Sequence, residues 1–391
     1  MSARIVLPRI MHVGKGASRQ IADTMVTLGV CRPLIITDQV MVELGYSNQI
    51  QQQLMKTGIE ASVFSETIPE PTVSSIEAGV TMVREGGFDS IIALGGGSPI
   101  DSAKAISVVG KLGGKVSDYK FPRDVSQTGL PVIAIPTTAG TGSEVTRFTV
   151  ITDDLKDEKM LCAGLGFMPV AALVDYELTL SLPERVTADC GLDALTHAIE
   201  AYVSRKASAF SDAQALSAMR MIAQNIRQAY RQPDNESARE AMMLGATLAG
   251  IAFSNASVAL VHGMSRPVGA FFHVPHGLSN AMLLPAITAF SVPEAKARYA
   301  ECARAIGVAS LADNHRVACQ KLVDELRALN RDLSVPSLLD YGVDKETYFR
   351  LLPVMAQQAL DSGSPSNNPK VPTAGEMVAL YRQIWEEGAL S

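Results

Sequence analysis

The sequence predicts two domains of different class, an α/β domain with a parallel sheet followed by an all-helical domain. Up to residue 183, short β-branched runs alternate with longer amphipathic runs, the pattern of a parallel sheet covered by helices. Beyond it the strand signal fades, and segments rich in Ala, Leu, Met and Gln take over. The 391 residues exceed the usual size of one hydrophobic core, and an apolar share of 47% supplies two. The expected domains are residues 1–183 and 184–391.

The expected strands are Pro33–Thr37, Ala61–Phe64, Ser90–Leu94, Val132–Ile135 and Ala171–Val174. Between them Val40–Thr57, Val73–Glu85 and Ile100–Lys111 have helical length and spacing. The apolar stretch Met160–Val174 is broken by Gly164, Gly166 and Pro169, is too short to span a bilayer, and reads as buried loop and strand. The boundary falls at Leu182-Pro-Glu-Arg-Val-Thr187, where Thr187 is expected to cap the helix that carries Asp193. Ser208–Tyr230, Ser237–Phe253 and Pro293–Ile306 are then helices, and Asp361–Pro369 reads as a surface connection.

A net charge of −6 with scattered Lys and Arg provides no basic stripe, which argues against nucleic acid and anionic membranes as partners. The five cysteines are odd in number and contain no Cys-x-x-Cys pair, and the N-terminus does not read as a signal peptide. Both points lead us to expect a reducing cytoplasm.

Ile91-Ile-Ala-Leu-Gly-Gly-Gly-Ser-Pro-Ile-Asp101-Ser-Ala-Lys104 reads as strand, glycine turn and helix. Glycines let backbone N–H groups approach a diphosphate, and the helix N-terminus favours negative charge. Position 100 is Ile, so the spacing is not Gly-x-Gly-x-x-Gly. Ile135-Pro-Thr-Thr-Ala-Gly-Thr-Gly-Ser-Glu144 offers hydroxyl and amide donors at the end of another strand, and serves equally as a capping loop. Asp38 closes Leu34-Ile-Ile-Thr-Asp38, where it either accepts from ribose hydroxyls or caps the next helix.

Asp193 and His197 stand four apart, which on a helix sets both side chains on one face. Such a pair alone is compatible with an ordinary hydrogen-bonded contact. The chain has only six histidines, however, and His262 and His276 lie in Val261-His-Gly and Pro-His-Gly, poor settings for an imidazole unless something binds it. One carboxylate with three imidazoles suits Fe(II) or Zn(II).

Taken together, Gly95-Gly-Gly-Ser-Pro-Ile-Asp101, Pro136-Thr-Thr-Ala-Gly-Thr-Gly-Ser-Glu144-Val, Asp193-Ala-Leu-Thr-His-Ala-Ile-Glu200 and Val261-His-Gly-Met with Pro275-His-Gly277 resemble the iron-containing (group III) alcohol dehydrogenases, of the dehydroquinate synthase-like fold. The resemblance runs from about residue 5 to Trp385. It implies an N-terminal dinucleotide domain, a helical metal domain and a cleft between them. Asp193, His197, His262 and His276 match the family's metal ligands. Asp38, Gly96, Gly97, Ser98, Thr137, Thr138, Thr141, Ser143, Lys159 and Leu178 fall where relatives line the NAD(P) site, and Phe148 and Phe253 fall near the alcohol. Arg266 replaces a histidine found in several relatives, and Glu70 stands where Asn is common.

The activity implied is interconversion of a primary alcohol, diol or hydroxy acid with its aldehyde, with Fe(II) or Zn(II) and NAD as cofactors. The alternative is a lyase of the same fold that uses metal and NAD on a phosphorylated sugar acid. His273 is a candidate proton relay or a packed imidazole, and Arg266 either binds an acidic substrate or braces a helix. The partners expected are a small alcohol or aldehyde and further copies of this chain, since relatives often pair through an N-terminal strand like Ile5–Val13.

Overall fold

A computed structural model describes residues 2–156 and 158–390. The chain divides into a compact unit Ile5–Ser181 and a second one formed by the chain from Leu182 onward.

The first unit contains β1 (Ile10–Val13), α1 (Ile21–Leu28), β2 (Pro33–Ile36), α2 (Gln39–Glu43), α3 (Tyr46–Met55), β3 (Ser62–Phe64), α4 (Val73–Gly86), β4 (Ser90–Gly95), α5 (Gly97–Leu112), β5 (Val132–Pro136), β6 (Phe148–Asp153), β7 (Glu158–Ala163) and β8 (Ala171–Val174). Six of the strands form one sheet in the order β1-β8-β5-β4-β2-β3. Its pairs are all parallel, with registers such as Ile36↔Ala93 and Gly95↔Pro136. The inner strands are buried throughout because helices cover both faces. Alternate side chains feed two cores, one holding Leu34, Ile36, Ile91 and Val132, the other Ile35, Ile92, Ile133 and Leu173.

All five expected strands are present, with small shifts at their ends. The expected helix Val40–Thr57 is two helices instead, because Gly45 adopts a left-handed φ of 77° between α2 and α3. Met160–Val174 is more regular than expected. Residues Met160–Ala163 belong to β7, which pairs antiparallel with β6 in a separate two-stranded ribbon. In the N-terminal segment only Ile10–Val13 is strand, and it pairs within the chain with β8.

The second unit has helices and no strand among its described residues: α6 (Glu184–Val203), α7 (Ala209–Arg231), α8 (Glu236–Ala256), α9 (Leu260–Phe272), α10 (His276–Ser291), α11 (Lys296–Ile306), α12 (His315–Asp332), α13 (Leu338–Tyr341), α14 (Lys345–Asp361) and α15 (Ala374–Leu390). Helix α6 is its centre, buried at nearly every position from Thr187 to Val203 and packed against α7, α8 and α10. Thr187 does not cap this helix. The N-cap is Pro183, and Thr187 lies inside the first turns, where its hydroxyl accepts from Arg239 Nη1 at 2.7 Å. The segment Asp361–Pro369 is not a surface connection either, since Ser364, Asn367 and Asn368 are buried. Asn367 donates to Val258 O and Asn368 to Ser291 Oγ, which ties this segment to the start of α9 and the end of α10. No single helix among the described residues is long and apolar enough to cross a membrane.

Candidate functional site

In the first unit the sheet order reverses between β2 and β4, because the chain moves outward to β3 from β2 and then crosses back to β4. In open parallel sheets ligands collect at the carboxyl ends of the strands flanking such a reversal. Asp38 follows β2 and the glycine turn follows β4, so both lie there, with the Thr137–Ser143 loop beside them at the end of β5.

The glycine turn is shaped by the loop it touches. Gly95 has φ 145°, and a Cβ on it would lie 2.6 Å from Pro99 Cγ; one on Gly97 would lie 2.7 Å from Thr141 Cγ2. A side chain at Gly95 would collide with the first turn of α5 and one at Gly97 would push the Thr137–Ser143 loop away, and their absence leaves the amides at the start of α5 open to an anion. Thr137 is buried and continues the ladder by donating from its N–H to Gly95 O at 3.0 Å, whereas Thr138 and Thr141 are half-buried.

Ser143 is buried and its hydroxyl is engaged inside the protein. It donates to Asp101 Oδ1 at 2.6 Å and accepts from Lys104 Nζ at 2.8 Å. Lys104, fully buried, also donates to Thr146 O and Phe148 O, at 3.0 and 2.7 Å. Burial pushes its ammonium down to about 8, against the opposing pull of Asp101 and Glu144. This buried lysine is a fastening that sequence reasoning missed, although it closes the glycine motif.

Asp38 is half-buried and caps α2, with Oδ1 accepting from Met41 N at 2.9 Å. Lys159 lies on β7 and forms an ion pair with Glu70 at 2.5 Å. Leu178 is buried in the 3-10 turn Tyr176–Thr179. Phe148 is half-buried at the start of β6, with the Arg147 guanidinium 5.6 Å from its ring centroid.

In the second unit one carboxylate and three imidazoles converge. One ligand atom from each of Asp193, His197, His262 and His276 lies within 4.8 Å of all the others. Asp193 Oδ1 stands 3.5 Å from His262 Nε2, 3.7 Å from His276 Nε2 and 3.9 Å from His197 Nε2. Four donors at roughly 2.1 Å around a tetrahedral ion would be about 3.4 Å apart, so small contractions fit this set to a divalent metal. Helix α6 supplies Asp193 and His197 one turn apart, α9 supplies His262, and His276 opens α10. Gly277 allows that opening, because a Cβ there would collide with the backbone of Asp189 on α6.

Two further residues complete the centre. Glu200, 3% exposed, accepts from His262 Nδ1 at 2.6 Å and from the amides of Ala259 and Val261 at 2.9 and 2.6 Å. It thereby fixes the ring with its Nδ1 bearing the proton, leaving the Nε2 lone pair for a cation. Asn280 Nδ2 donates to Asp193 Oδ1 at 2.7 Å and lies 3.1 Å from His262 Nε2 and 3.3 Å from His276 Nε2, while its own Oδ1 is buried with no hydrogen-bond partner among the described residues. Lone pairs from three residues thus crowd around one donor, a surrounding that favours positive charge. Burial alone would raise the Asp193 pKa, but when the imidazoles carry protons in place of a cation, the His197 and His276 charges and the hydrogen bond and charge of His262 hold its carboxyl well below the usual range. Glu200 was legible only as part of a motif, three residues beyond His197 and so on a neighbouring part of the same helical face.

Phe253 stacks on His197 with centroids 4.2 Å apart and planes at 17°, which makes an apolar wall at the centre. Arg266 is half-buried and donates to Ser364 Oγ at 3.0 Å, bracing the buried 3-10 turn Ser364–Asn367. Burial lowers its pKa, opposed by the charge of Glu200. His273 ends α9 in a left-handed conformation, φ 54°, and is exposed, so it is not a packed imidazole.

Comparison with known proteins agrees with this anatomy. Residues 8–176 match the family model for iron-containing alcohol dehydrogenase, and residues 187–385 match that for the C-terminal part of the Fe-containing alcohol dehydrogenase family. Lactaldehyde reductase of Escherichia coli strain K12 is 35% identical over 389 residues, which cover 98% of this chain and 100% of that protein. A crystal structure of 1,3-propanediol oxidoreductase superposes with a TM-score of 0.94 at 32% identity, covering 98% of this chain and 100% of that one. Sulfoacetaldehyde reductase from Bifidobacterium kashiwanohense, solved in complex with NAD+, gives 0.88 at 27% identity, with 98% and 99% covered. The chain belongs to the iron-containing alcohol dehydrogenase family and is an alcohol oxidoreductase of the iron type.

Proposed function

We propose that this enzyme is a metal-dependent, NAD(H)-linked dehydrogenase that interconverts a primary alcohol, diol or hydroxy acid with its aldehyde, with Fe(II) as the metal and Zn(II) as an equally well-shaped substitute. The observation that carries this reading is the set Asp193, His197, His262 and His276, whose spacing fits a divalent ion and whose His262 ring is held by Glu200. A divalent ion held there supplies Lewis acidity that lowers the pKa of an alcohol hydroxyl.

The remaining work belongs to the side chains and backbone. Phe253 against His197 keeps water from one side of the centre and favours an apolar carbon skeleton. The amides at the start of α5 would hold the diphosphate of NAD, and Asp38 would accept from the adenosine ribose hydroxyls, where its charge would disfavour a 2′-phosphate. NAD held by these residues would supply the hydride acceptor for the carbinol carbon. His273, exposed at the end of α9, is our candidate for the group that relays the proton to solvent. The bound NAD+ of the sulfoacetaldehyde reductase, and the small aldehydes in that name and in lactaldehyde reductase, support the choice of cofactor and substrate class. Cysteines without a disulfide agree with a cytoplasmic enzyme, and we propose a homodimer or a larger homo-oligomer as its working state.

The test is a panel of short alcohols, diols, ω-hydroxy acids and their aldehydes, run in both directions with NAD and NADP on protein reconstituted with Fe(II) or Zn(II). Turnover should disappear on chelation and in Asp193→Ala and His262→Ala, together with bound metal. Full activity in the chelated enzyme would overturn the metal assignment, and turnover with neither dinucleotide would overturn the cofactor.

A further inference from the structure

Glu70 combines three features that no part of the reaction described so far uses. Its backbone lies in the left-handed region, φ 53°, between Pro69 and Pro71, a conformation that side chains with a Cβ avoid unless their surroundings impose it. Its N–H donates to Ser98 Oγ at 3.2 Å, which pins the residue to the first turn of α5. Its carboxylate meets Lys159 Nζ at 2.5 Å, with the lysine side chain 11% exposed and the glutamate 40%. An acid has thus been placed beside the helix N-terminus whose amides are the candidate diphosphate site.

A carboxylate there opposes an incoming diphosphate unless it is neutralised, and Lys159 neutralises it. The same ammonium is a natural partner for a phosphate oxygen, and a diphosphate that takes the place of Glu70 keeps it paired, while the released carboxylate, 40% exposed, can turn to water. The left-handed backbone and the bond to Ser98 hold the main chain of Glu70, so that only its side chain needs to move.

We propose that Glu70 and Lys159 form an exchangeable latch, in which Lys159 leaves Glu70 for the diphosphate when NAD(H) binds and returns to it when the cofactor departs. Glu70 therefore weakens cofactor binding and speeds its release, while keeping Lys159 near the site in the free enzyme. The proposal rests on the dinucleotide reading above.

The experiment measures NADH dissociation constants by fluorescence titration, and release rates by stopped flow, for the full-length wild type, Glu70→Gln, Lys159→Gln and the double variant. Glu70→Gln is expected to bind NADH about two- to fivefold more tightly and to release it more slowly, the range for loss of a partly exposed competing pair. Lys159→Gln is expected to bind about tenfold more weakly, and the double variant to bind no more tightly than Lys159→Gln. Equal or weaker binding in Glu70→Gln overturns the latch and makes the carboxylate a direct ligand contact or a bystander. Tightening that persists in the double variant overturns it too, because Glu70 would then act by repulsion alone. A wild type that binds no NADH overturns the dinucleotide reading itself, and the latch falls with it.

Discussion

Replacing Glu200 with Gln tests how much of the metal centre depends on a residue that is not a ligand. The glutamate receives three donors: Oε1 accepts from Val261 N, and Oε2 accepts from Ala259 N and His262 Nδ1. Glutamine keeps the size but exchanges one oxygen for an NH2 group. The cheaper orientation leaves its oxygen where Oε2 was, so that His262 and Ala259 keep an acceptor and the Val261 N–H faces another donor. One orphaned buried donor costs about 1–3 kcal/mol, and loss of the carboxylate's charge weakens the two remaining bonds by about 0.5–1 kcal/mol each. The sum is a loss of about 2–5 kcal/mol in a site that is 3% exposed, too dry for water to supply the missing partner. Metal affinity should fall about tenfold, the lower end for a partner that orients a ligating histidine, because Nδ1 keeps its acceptor. Denaturant unfolding of the metal-stripped proteins reads the first quantity, and competition with a chelator of known affinity reads the second. A variant within 0.5 kcal/mol of wild type in stability, on the order of ordinary surface substitutions, and with unchanged metal affinity would refute the claim that Glu200 organises His262.

Other substitutions probe different links. Asp38→Gly should shift the NAD:NADP ratio of kcat/KM toward NADP at a stability cost of only a few tenths of a kcal/mol, since Gly is a tolerable N-cap for α2; an unchanged ratio would leave Asp38 a cap and nothing more. Lys104 has its pKa pushed by burial from 10.5 down to about 8, so between those pH values the unfolded chain binds the extra proton. Stability of the wild type relative to Lys104→Met should therefore rise as pH climbs from 8 to 10.5, and a flat or falling difference in alkaline urea melts would contradict the burial argument. Arg266→Met should lower stability through its lost bond to Ser364 and reduce kcat/KM equally for ω-hydroxy acids and neutral alcohols; a selective rise in KM for the acids would make the guanidinium a substrate anchor.

The features that were legible are those whose sequence pattern and physical cause coincide. Strands covered on both faces read as short apolar runs, and the inner strands of the sheet are buried residue by residue as that reading requires. Asp193 and His197 were visible as one turn of a helix, and His262 and His276 because an imidazole between apolar residues and glycine demands a partner. Their convergence was a matter of residue types and resemblance, since nothing in a linear sequence shows that α9 and α10 meet α6.

What escaped was decided by tertiary contact. Thr187 has the chemistry of a cap, but the helix begins earlier, at Glu184, and Arg239 claims the hydroxyl from α8. Asp361–Pro369 has the composition of an exposed loop, yet its asparagines satisfy backbone and hydroxyl groups at the ends of α9 and α10, so that polarity here serves burial. Glu200 and Lys104 share that logic. Each carries a charge that a surface residue would spend on water, and each is surrounded by several backbone and side-chain partners that make burial affordable. A charged residue within an apolar helical run next to a motif therefore points to a fastening between elements distant in sequence: Lys104 reaches Phe148, and Glu200 reaches Val261. The sites in this protein are held in shape by such buried charges as much as by the residues that would touch metal or cofactor.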